Sequence, residues 1–197
     1  MAKQLLYILI IFLVLGFQDK PTVVTKWVIT SGCSLKVNGS TNVNNFSCVI
    51  ENYNRPDTIT TVSSNNQPVK LSGNIQLDVQ NFDCHNLIMT ADLRKTLKHK
   101  DHPKMMIFFV NMNQYPEPGK WGIKGSVLIV LAGVSKHFDV DYKLISAEKG
   151  MINLEGSRKV NFSDFNLTPP RKLGGMIKTN NELSVVFNLK MKVLPKD

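Results

Sequence analysis

Apolar and polar residues alternate along much of this chain, in short stretches separated by polar turns. From residue 69 to 80 every second position is apolar apart from Gly73, which predicts one strand with one face on a core and the other in water. Residues 137–144 and 183–193 alternate in the same way. Further strands are predicted at 23–29, 35–37, 46–50, 58–62, 105–110, 123–131 and 151–160, with a turn or bulge at Asn38 and Gly39.

About eight to ten short strands with tight connections indicate an all-β chain, folded as a single antiparallel barrel or sandwich. No stretch alternates strands with long helices, which argues against a parallel α/β fold. Closure into a barrel removes exposed sheet edges, and a barrel of about eight strands can enclose one small ligand.

The stretch 89–112 departs from simple alternation. Leu93 and Leu97 lie four residues apart among helix-forming residues and predict a short amphipathic helix over 92–98, which Pro103 must end. Residues 105–110 are apolar at every position and predict a strand with both faces shielded from water. The helix is then expected to cover one face of this strand or to close the mouth of the barrel, with the basic residues of 94–104 at its rim.

The first residues predict export. Residues 5–17 are almost wholly apolar but shorter than the roughly 20 residues of a membrane span, and they fit a secretory signal. We therefore predict a signal peptide at 1–18, a single barrel domain at 19–197, and a periplasmic or extracellular location. The alternative is an uncleaved N-terminal anchor.

Export also favours pairing among the three cysteines. Cys48 and Cys84 each end a similar segment, Asn-Phe-Ser-Cys and Asn-Phe-Asp-Cys, and are predicted to form a disulfide that leaves Cys33 over. Pairing of Cys33 with Cys48 or with Cys84 remains open at this stage.

The net charge of +9 predicts a weak attraction to anionic membrane surfaces or, equally, a merely soluble basic surface. Nucleic acid is not an expected partner, because the chain has no recognition motif. No nucleophile elbow, phosphate-binding loop or dinucleotide fingerprint occurs, so we predict no catalytic residue, no cofactor and no enzymatic activity. Pro103 separates His99 and His102 from a common helix face, which argues against a metal site.

Several short segments, in order, resemble a known family. They are Trp27-Val-Ile with Cys33-Ser-Leu, Asp92-Leu-Arg94 followed by His102-Pro103-x-Met-x-Ile-x-Phe109, Gly133-Val-Ser-Lys136, and Val160-x-Phe-Ser-Asp-Phe165. This pattern, over roughly residues 27–193, is similar to that of the YceI-like proteins, exported bacterial proteins with a lipocalin-like barrel that binds isoprenoid and other long-chain lipids. The chain differs from the family pattern at Cys33, His102 and Asn166, which leaves the identity of the ligand open.

The resemblance implies non-enzymatic binding of a long-chain amphiphilic lipid or isoprenoid in the barrel. The alternative is an envelope structural or stress-associated interaction protein with a filled barrel. The predicted cavity wall consists of inward apolar residues: Phe46, Leu71, Leu77, Ile107, Phe109, Val127, Ile129, Phe138, Val140, Phe187 and Leu189.

Overall fold

Antiparallel pairing closes the chain into a barrel. The computed structural model describes residues 22–64 and 67–195, so the predicted signal peptide at 1–18 lies outside the described residues. The described strands are β1 (Thr22–Ile29), β2 (Cys33–Ser40), β3 (Asn45–Tyr53), β4 (Thr58–Ser64), β5 (Val69–Ser72), β6 (Asn74–Asp78), β7 (Lys104–Met112), β8 (Ile123–Leu131), β9 (Val134–Glu148), β10 (Met151–Asn161), β11 (Arg171–Lys172), β12 (Ile177–Lys178) and β13 (Glu182–Val193). Helix α1 (Leu87–Thr96) lies between β6 and β7, and 3₁₀ turns occur at Val79–Asn81, Phe162–Phe165 and Leu173–Gly175.

The barrel has eight positions, three of which are shared by two short strands each: β1 with β2, β3 with β4, and β5 with β6. Strands β7, β8, β9, β10 and β13 supply the others, and β13 returns to pair with both β1 and β2. This architecture confirms the predicted all-β antiparallel barrel of about eight strands with a short helix. Strands β11 and β12 form a separate two-stranded hairpin.

The barrel has two distinct ends. Three segments lie at the helix end. They are residues 79–103 with α1, the 41–44 turn between β2 and β3, and the long connection 162–181. At the loop end lies the connection 113–122 between β7 and β8. The inward side chains of the strands fill the space between the two ends.

The predicted single strand at 69–80 is interrupted. At Gly73 the backbone adopts φ of 143°, and a Cβ there would stand 2.5 Å from the carbonyl oxygen of Thr58. The chain therefore bends into β5 and β6 and then into a 3₁₀ turn. The predicted inward face survives the bend, because Val69, Ile75 and Leu77 are all buried.

The turn predicted at Asn38 and Gly39 is wrong, because both residues lie inside β2. Gly39 is needed for close packing: a Cβ there would stand 2.3 Å from the ring of Phe46 on the paired strand. The chain turns at 41–44 instead, where the Thr41 hydroxyl accepts a hydrogen bond from the Asn44 backbone N–H at 3.0 Å.

Helix α1 begins five residues before the predicted 92–98, at Leu87, because the side chain of Asn86 caps it by accepting from the Met89 N–H at 3.0 Å. Leu93 and Leu97 are buried as expected. They share a cavity with Met105 and Ile107, so α1 closes the end of the barrel against the inner face of β7.

The outer face of β7 is not shielded as predicted. Met106, Phe108 and Val110 are half-buried, whereas their inward neighbours are buried. The continuous apolar run of 105–110 therefore reflects an inner face in the core and an outer face that remains partly in contact with water.

Candidate functional site

An apolar pocket of about 260 Å³ opens at the helix end, and we call it the mouth pocket. Three segments enclose it: residues 86–93 at the start of α1, the 41–44 turn with the start of β3, and the β11–β12 hairpin, which we call the roof hairpin (residues 170–179). Its lining residues are Thr41, Val43, Asn44, Phe46, Cys48, Asn86, Ile88, Met89, Asp92, Leu93, Phe162, Pro170, Lys172, Ile177 and Thr179. Most of the wall is apolar, with a few polar groups, as in typical small-molecule sites.

A disulfide joins Cys48 of β3 to Cys84, just before α1, which confirms the predicted bridge and leaves Cys33 free. Beside it, Val49 and Asp83 exchange backbone hydrogen bonds of 2.7 and 2.8 Å. These links fix the start of α1 to the barrel wall. The mouth pocket therefore has one covalently held side, and Cys48 itself forms part of its lining.

The roof hairpin is held by polar contacts. Lys172 Nζ lies 2.5 Å from a carboxylate oxygen of Asp92 on α1. On the opposite side, the Asn42 side chain donates to the Met176 carbonyl at 2.9 Å and accepts from the Lys178 N–H at 2.8 Å. These polar contacts attach the hairpin to both neighbouring segments, while Leu173 and Met176 near its tip are exposed.

The expected basic rim of residues 94–104 does not border the mouth pocket. Arg94 turns back to donate from Nε and Nη2 to the Phe82 carbonyl at 3.2 and 2.8 Å, and Lys104 pairs with Asp78. Among the described residues, Lys172 is the basic residue that lines the pocket. The sequence could not reveal this arrangement, because Lys172 lies far along the chain in an irregular segment.

Two small cavities lie in the interior of the barrel, among the residues that the structure describes. One of about 70 Å³ lies beneath α1 and another of about 20 Å³ lies near the loop end, where Tyr115 and Pro116 border it. Leu93 lines both the mouth pocket and the 70 Å³ cavity. This side chain is therefore the partition between the mouth pocket and the inside of the barrel.

The predicted wall residues are distributed over these spaces. Phe46 lines the mouth pocket; Ile107 and Ile129 line the 70 Å³ cavity; Leu71, Phe109 and Leu189 line the 20 Å³ cavity. The others are buried in the packed core: Leu77, Val127, Phe138, Val140 and Phe187. Two of these make ring contacts, Phe138 with Phe165 and Phe187 with Tyr142.

Most of the mouth pocket escaped prediction from the sequence. Val43, Ile177 and Thr179 lie in turns or in a two-residue strand, where alternation gives no direction to a side chain. Only the composition of the connections could have pointed to the pocket. The segments 41–44 and 170–179 contain apolar residues among residues that favour turns.

The free cysteine, Cys33, is held inside the fold by hydrogen bonds. Cys33 is buried, and its thiol donates to the Thr30 carbonyl at 3.2 Å and accepts from the Lys190 N–H at 3.1 Å. Burial raises the pKa of this thiol, so it stays neutral and weakly nucleophilic. Within residues 22–64 and 67–195, no three His, Cys, Asp or Glu side chains cluster in a way that could hold a metal ion. None of the helices there has the length and apolar character of a membrane crossing.

Asp164 anchors the start of the long connection at the helix end. Its carboxylate accepts from Lys136 Nζ at 2.5 Å and from the Asn161 backbone N–H at 2.7 Å. Burial alone would raise the pKa of Asp164, but these hydrogen bonds and the lysine charge outweigh it and hold the pKa below the ordinary 3.8. Stability from this group is therefore present above about pH 3.8 and is lost as the pH falls through the lowered pKa.

Asp164→Asn should lower the free energy of unfolding by about 1–2 kcal/mol near neutral pH, because it removes a charge-assisted hydrogen bond. The difference from the unmodified protein should shrink below about pH 3.8. Urea unfolding at several pH values measures both effects. Asp139→Asn is the control, since Asp139 is exposed and has no ion pair among the described residues; a constant difference for Asp164→Asn at all pH values would contradict the assignment.

No protein-family model matches the chain, and no curated protein matches its sequence. Among solved structures, Burkholderia cenocepacia BcnA aligns with a TM-score of 0.57 and 11% identity, over 80% of this chain and 95% of that chain. A domain from Saccharophagus degradans, described as a polyisoprenoid binding domain implicated in plant cell wall breakdown, aligns with a TM-score of 0.55 and 9% identity, over 85% and 98% of the two chains. The Campylobacter jejuni YceI protein gives a TM-score of 0.48 and 17% identity, over 66% and 74%. At these identities the likeness concerns the fold alone: this chain has the antiparallel barrel fold of BcnA and of the Saccharophagus degradans domain.

Proposed function

We propose that this protein binds a long-chain amphiphilic lipid or isoprenoid, without catalysing a reaction, by taking the apolar chain into the mouth pocket. The observation that carries the proposal is the apolar pocket of about 260 Å³ at the one end of the barrel where a helix and a hairpin form the walls. The fold supports it, since a barrel of the same fold is described as a polyisoprenoid binding domain. Each methylene buried there contributes about 0.8 kcal/mol.

The size of the pocket limits how the ligand sits. Pockets that enclose a drug-sized ligand measure about 300–1,000 Å³, so the mouth pocket takes only the terminal part of a long chain. A longer chain would continue past Leu93 into the 70 Å³ cavity. Met89 and Met105, on the two sides of this path, are flexible side chains that repack readily.

Polar groups at the pocket edge suit the head of an amphiphile. The Asp92–Lys172 pair is partly exposed, with side-chain exposures of 28% and 45%. Asn44 and Asn86 border the same pocket and offer amide donors and acceptors. In this arrangement a hydroxyl, phosphate or carbonyl head stays in water while the chain leaves it.

The proposed place of action is the periplasm or the outside of the cell, after removal of residues 1–18. The disulfide supports an oxidising compartment, since such bridges are rare in the cytosol. N-terminal sequencing of the exported protein tests the cleavage: an intact N-terminus would favour an uncleaved anchor.

The function is tested by organic extraction of the purified protein with mass spectrometry, followed by titration with a fluorescent isoprenoid. We expect a copurified or added long-chain lipid to bind in a one-to-one ratio. If no lipid copurifies and the added isoprenoid does not bind, the proposal is overturned.

Met89→Trp should weaken ligand binding by roughly tenfold or more, because an indole at this half-buried position fills the mouth pocket. The matched control is Met106→Trp, the same substitution at a half-buried position on the outer face of β7. The control should bind like the unmodified protein. Equal affinities of all three proteins would place the ligand elsewhere.

A second function has one observation in its favour. The interior cavities of about 70 and 20 Å³ are far smaller than a ligand pocket, as in a filled barrel that acts through its surface as an envelope interaction protein. The extraction and titration above separate the two functions, since a filled barrel would yield no lipid in either.

A further inference from the structure

Exposed apolar side chains surround the opening of the mouth pocket. Val43, Ile88 and Met176 are 65%, 69% and 75% exposed, and they come from the three different segments that enclose the pocket. Leu87 at the start of α1 and Leu173 at the tip of the roof hairpin are 90% and 68% exposed. Leaving several large apolar groups in water around one opening is unfavourable, and such clusters mark interaction surfaces.

The charge beside these side chains is positive. Arg171, Lys172 and Lys178 flank the tip of the roof hairpin, and the chain has no acidic residue between Asp164 and Glu182. Lys172 is neutralised by Asp92, whereas neither Arg171 nor Lys178 has an ion pair among the described residues. The hairpin therefore combines an apolar tip with two uncompensated cations.

These two cations face each other. Arg171 and Lys178 are register partners across the two-stranded hairpin, so their side chains project from the same side. Like charges in directly opposite positions destabilise a strand pair. An anion lying between the two side chains would remove this repulsion, which gives the hairpin a preference for a negatively charged partner.

We propose that the helix end of the barrel docks on an anionic lipid bilayer. Leu173 and Met176 of the roof hairpin enter the interface between headgroups and acyl chains, and Arg171 and Lys178 bind lipid phosphates. The mouth pocket then opens toward the bilayer, so an amphiphile passes between membrane and pocket without exposing its chain to water. This inference rests on the proposed function and specifies where the protein collects or delivers its ligand.

This surface suits a bilayer better than a protein partner. The apolar side chains stand at the tips of separate segments and are flanked by cations, which matches the layering of acyl chains beneath phosphates. A stable protein interface would need a broader continuous surface with packed shape complementarity.

Vesicle sedimentation tests the docking. The unmodified protein should bind vesicles of phosphatidylcholine with about one third phosphatidylglycerol, and bind pure phosphatidylcholine vesicles far less. Leu173→Ser with Met176→Ser should weaken binding to the anionic vesicles roughly fivefold to tenfold. Arg171→Gln with Lys178→Gln should weaken it roughly tenfold to thirtyfold and reduce its salt dependence. All four side chains are outside the pocket lining, so the variants should retain affinity for a water-soluble short isoprenoid.

Trp121→Ser is the matched control, because this side chain is 80% exposed at the loop end of the barrel. It should leave vesicle binding unchanged. Vesicle affinities of both helix-end double variants equal to that of the unmodified protein would overturn the docking proposal while leaving ligand binding intact. If the unmodified protein itself does not bind the isoprenoid, the proposed function is overturned instead.

Lipids brominated along the acyl chain provide a second readout that does not depend on total binding. In a Trp121→Phe background, Met176→Trp places the reporter at the hairpin tip, and Trp27 is buried. The tip reporter should be quenched by brominated vesicles, whereas Trp121 in the otherwise unmodified protein should not. Quenching of Trp121 alone would show that the loop end docks, contrary to the proposal.

Discussion

Replacing Cys48 and Cys84 together with alanine should lower the free energy of unfolding by about 3–4 kcal/mol. The bridge closes a loop of 36 residues, and its removal releases that constraint on the unfolded chain. In the native structure it also spans a seam: β3 pairs with β2 and β6 pairs with β7, but no ladder joins β3 to β6 in the described chain. Apart from the Val49–Asp83 bridge, the Tyr53 hydroxyl accepts from the Gln76 N–H across this seam at 3.3 Å.

Chemical denaturation with and without reductant measures this effect. Reductant should bring the unmodified protein to the stability of the double variant and leave the variant unaffected. Cys33→Ser is the control: it keeps a hydrogen-bonding group beside Lys190, so it should change stability by less than about 1.5 kcal/mol and respond to reductant as the unmodified protein does. A double variant as stable as the unmodified protein would show that hydrogen bonds alone hold the seam.

Leu93→Ala should have two effects. Without ligand, it should lower the free energy of unfolding by about 2–4 kcal/mol, because a buried leucine leaves a cavity. The same change removes the partition between the mouth pocket and the 70 Å³ cavity. The variant should therefore shift its preference toward longer isoprenoids, and a long ligand should restore part of the lost stability.

Leu97→Ala is the matched control for Leu93→Ala. Leu97 follows one turn later and is equally buried, but it lines the 70 Å³ cavity and not the mouth pocket. Both variants should lose similar stability, and only Leu93→Ala should change the preferred chain length, as measured by titration with isoprenoids of increasing length. The same shift in both variants would mean that the ligand does not enter past Leu93.

The barrel was predictable because a strand with one buried face and one exposed face has alternating apolar and polar residues in its sequence. In β9, Phe138, Val140 and Tyr142 are buried and their neighbours are exposed, as alternation requires. A bend in a strand preserves this alternation when the inward residues before and after the bend are still separated by an even number of positions. Ile75 and Leu77 thus remain inward after the break at Gly73, although the break itself depends on a carbonyl of β4 that the local sequence does not contain.

The mouth pocket was not predictable for a related reason. Phe46 was identified because it belongs to a strand, but the roof hairpin reaches the pocket through Asn42 and Asp92, residues far away in sequence. Contacts between residues so far apart produce no repeating pattern in the sequence from which they could be predicted. The basic residues of 94–104 illustrate the opposite error, since their proximity in sequence to α1 did not place them at its pocket.

The last strand of the chain has a consequence for the order of folding. β13 pairs with β10, β1 and β2, and its partner Trp27 is separated from Val193 by almost the whole domain. Without residues 182–193, β10 and the barrel position that β1 and β2 share each present an unpaired edge. Barrel closure must then wait until residues 182–193 are available, and the high sequence separation of these contacts implies folding in milliseconds to seconds. A chain ending at residue 181 should consequently accumulate as an aggregation-prone open sheet, which light scattering during refolding can detect.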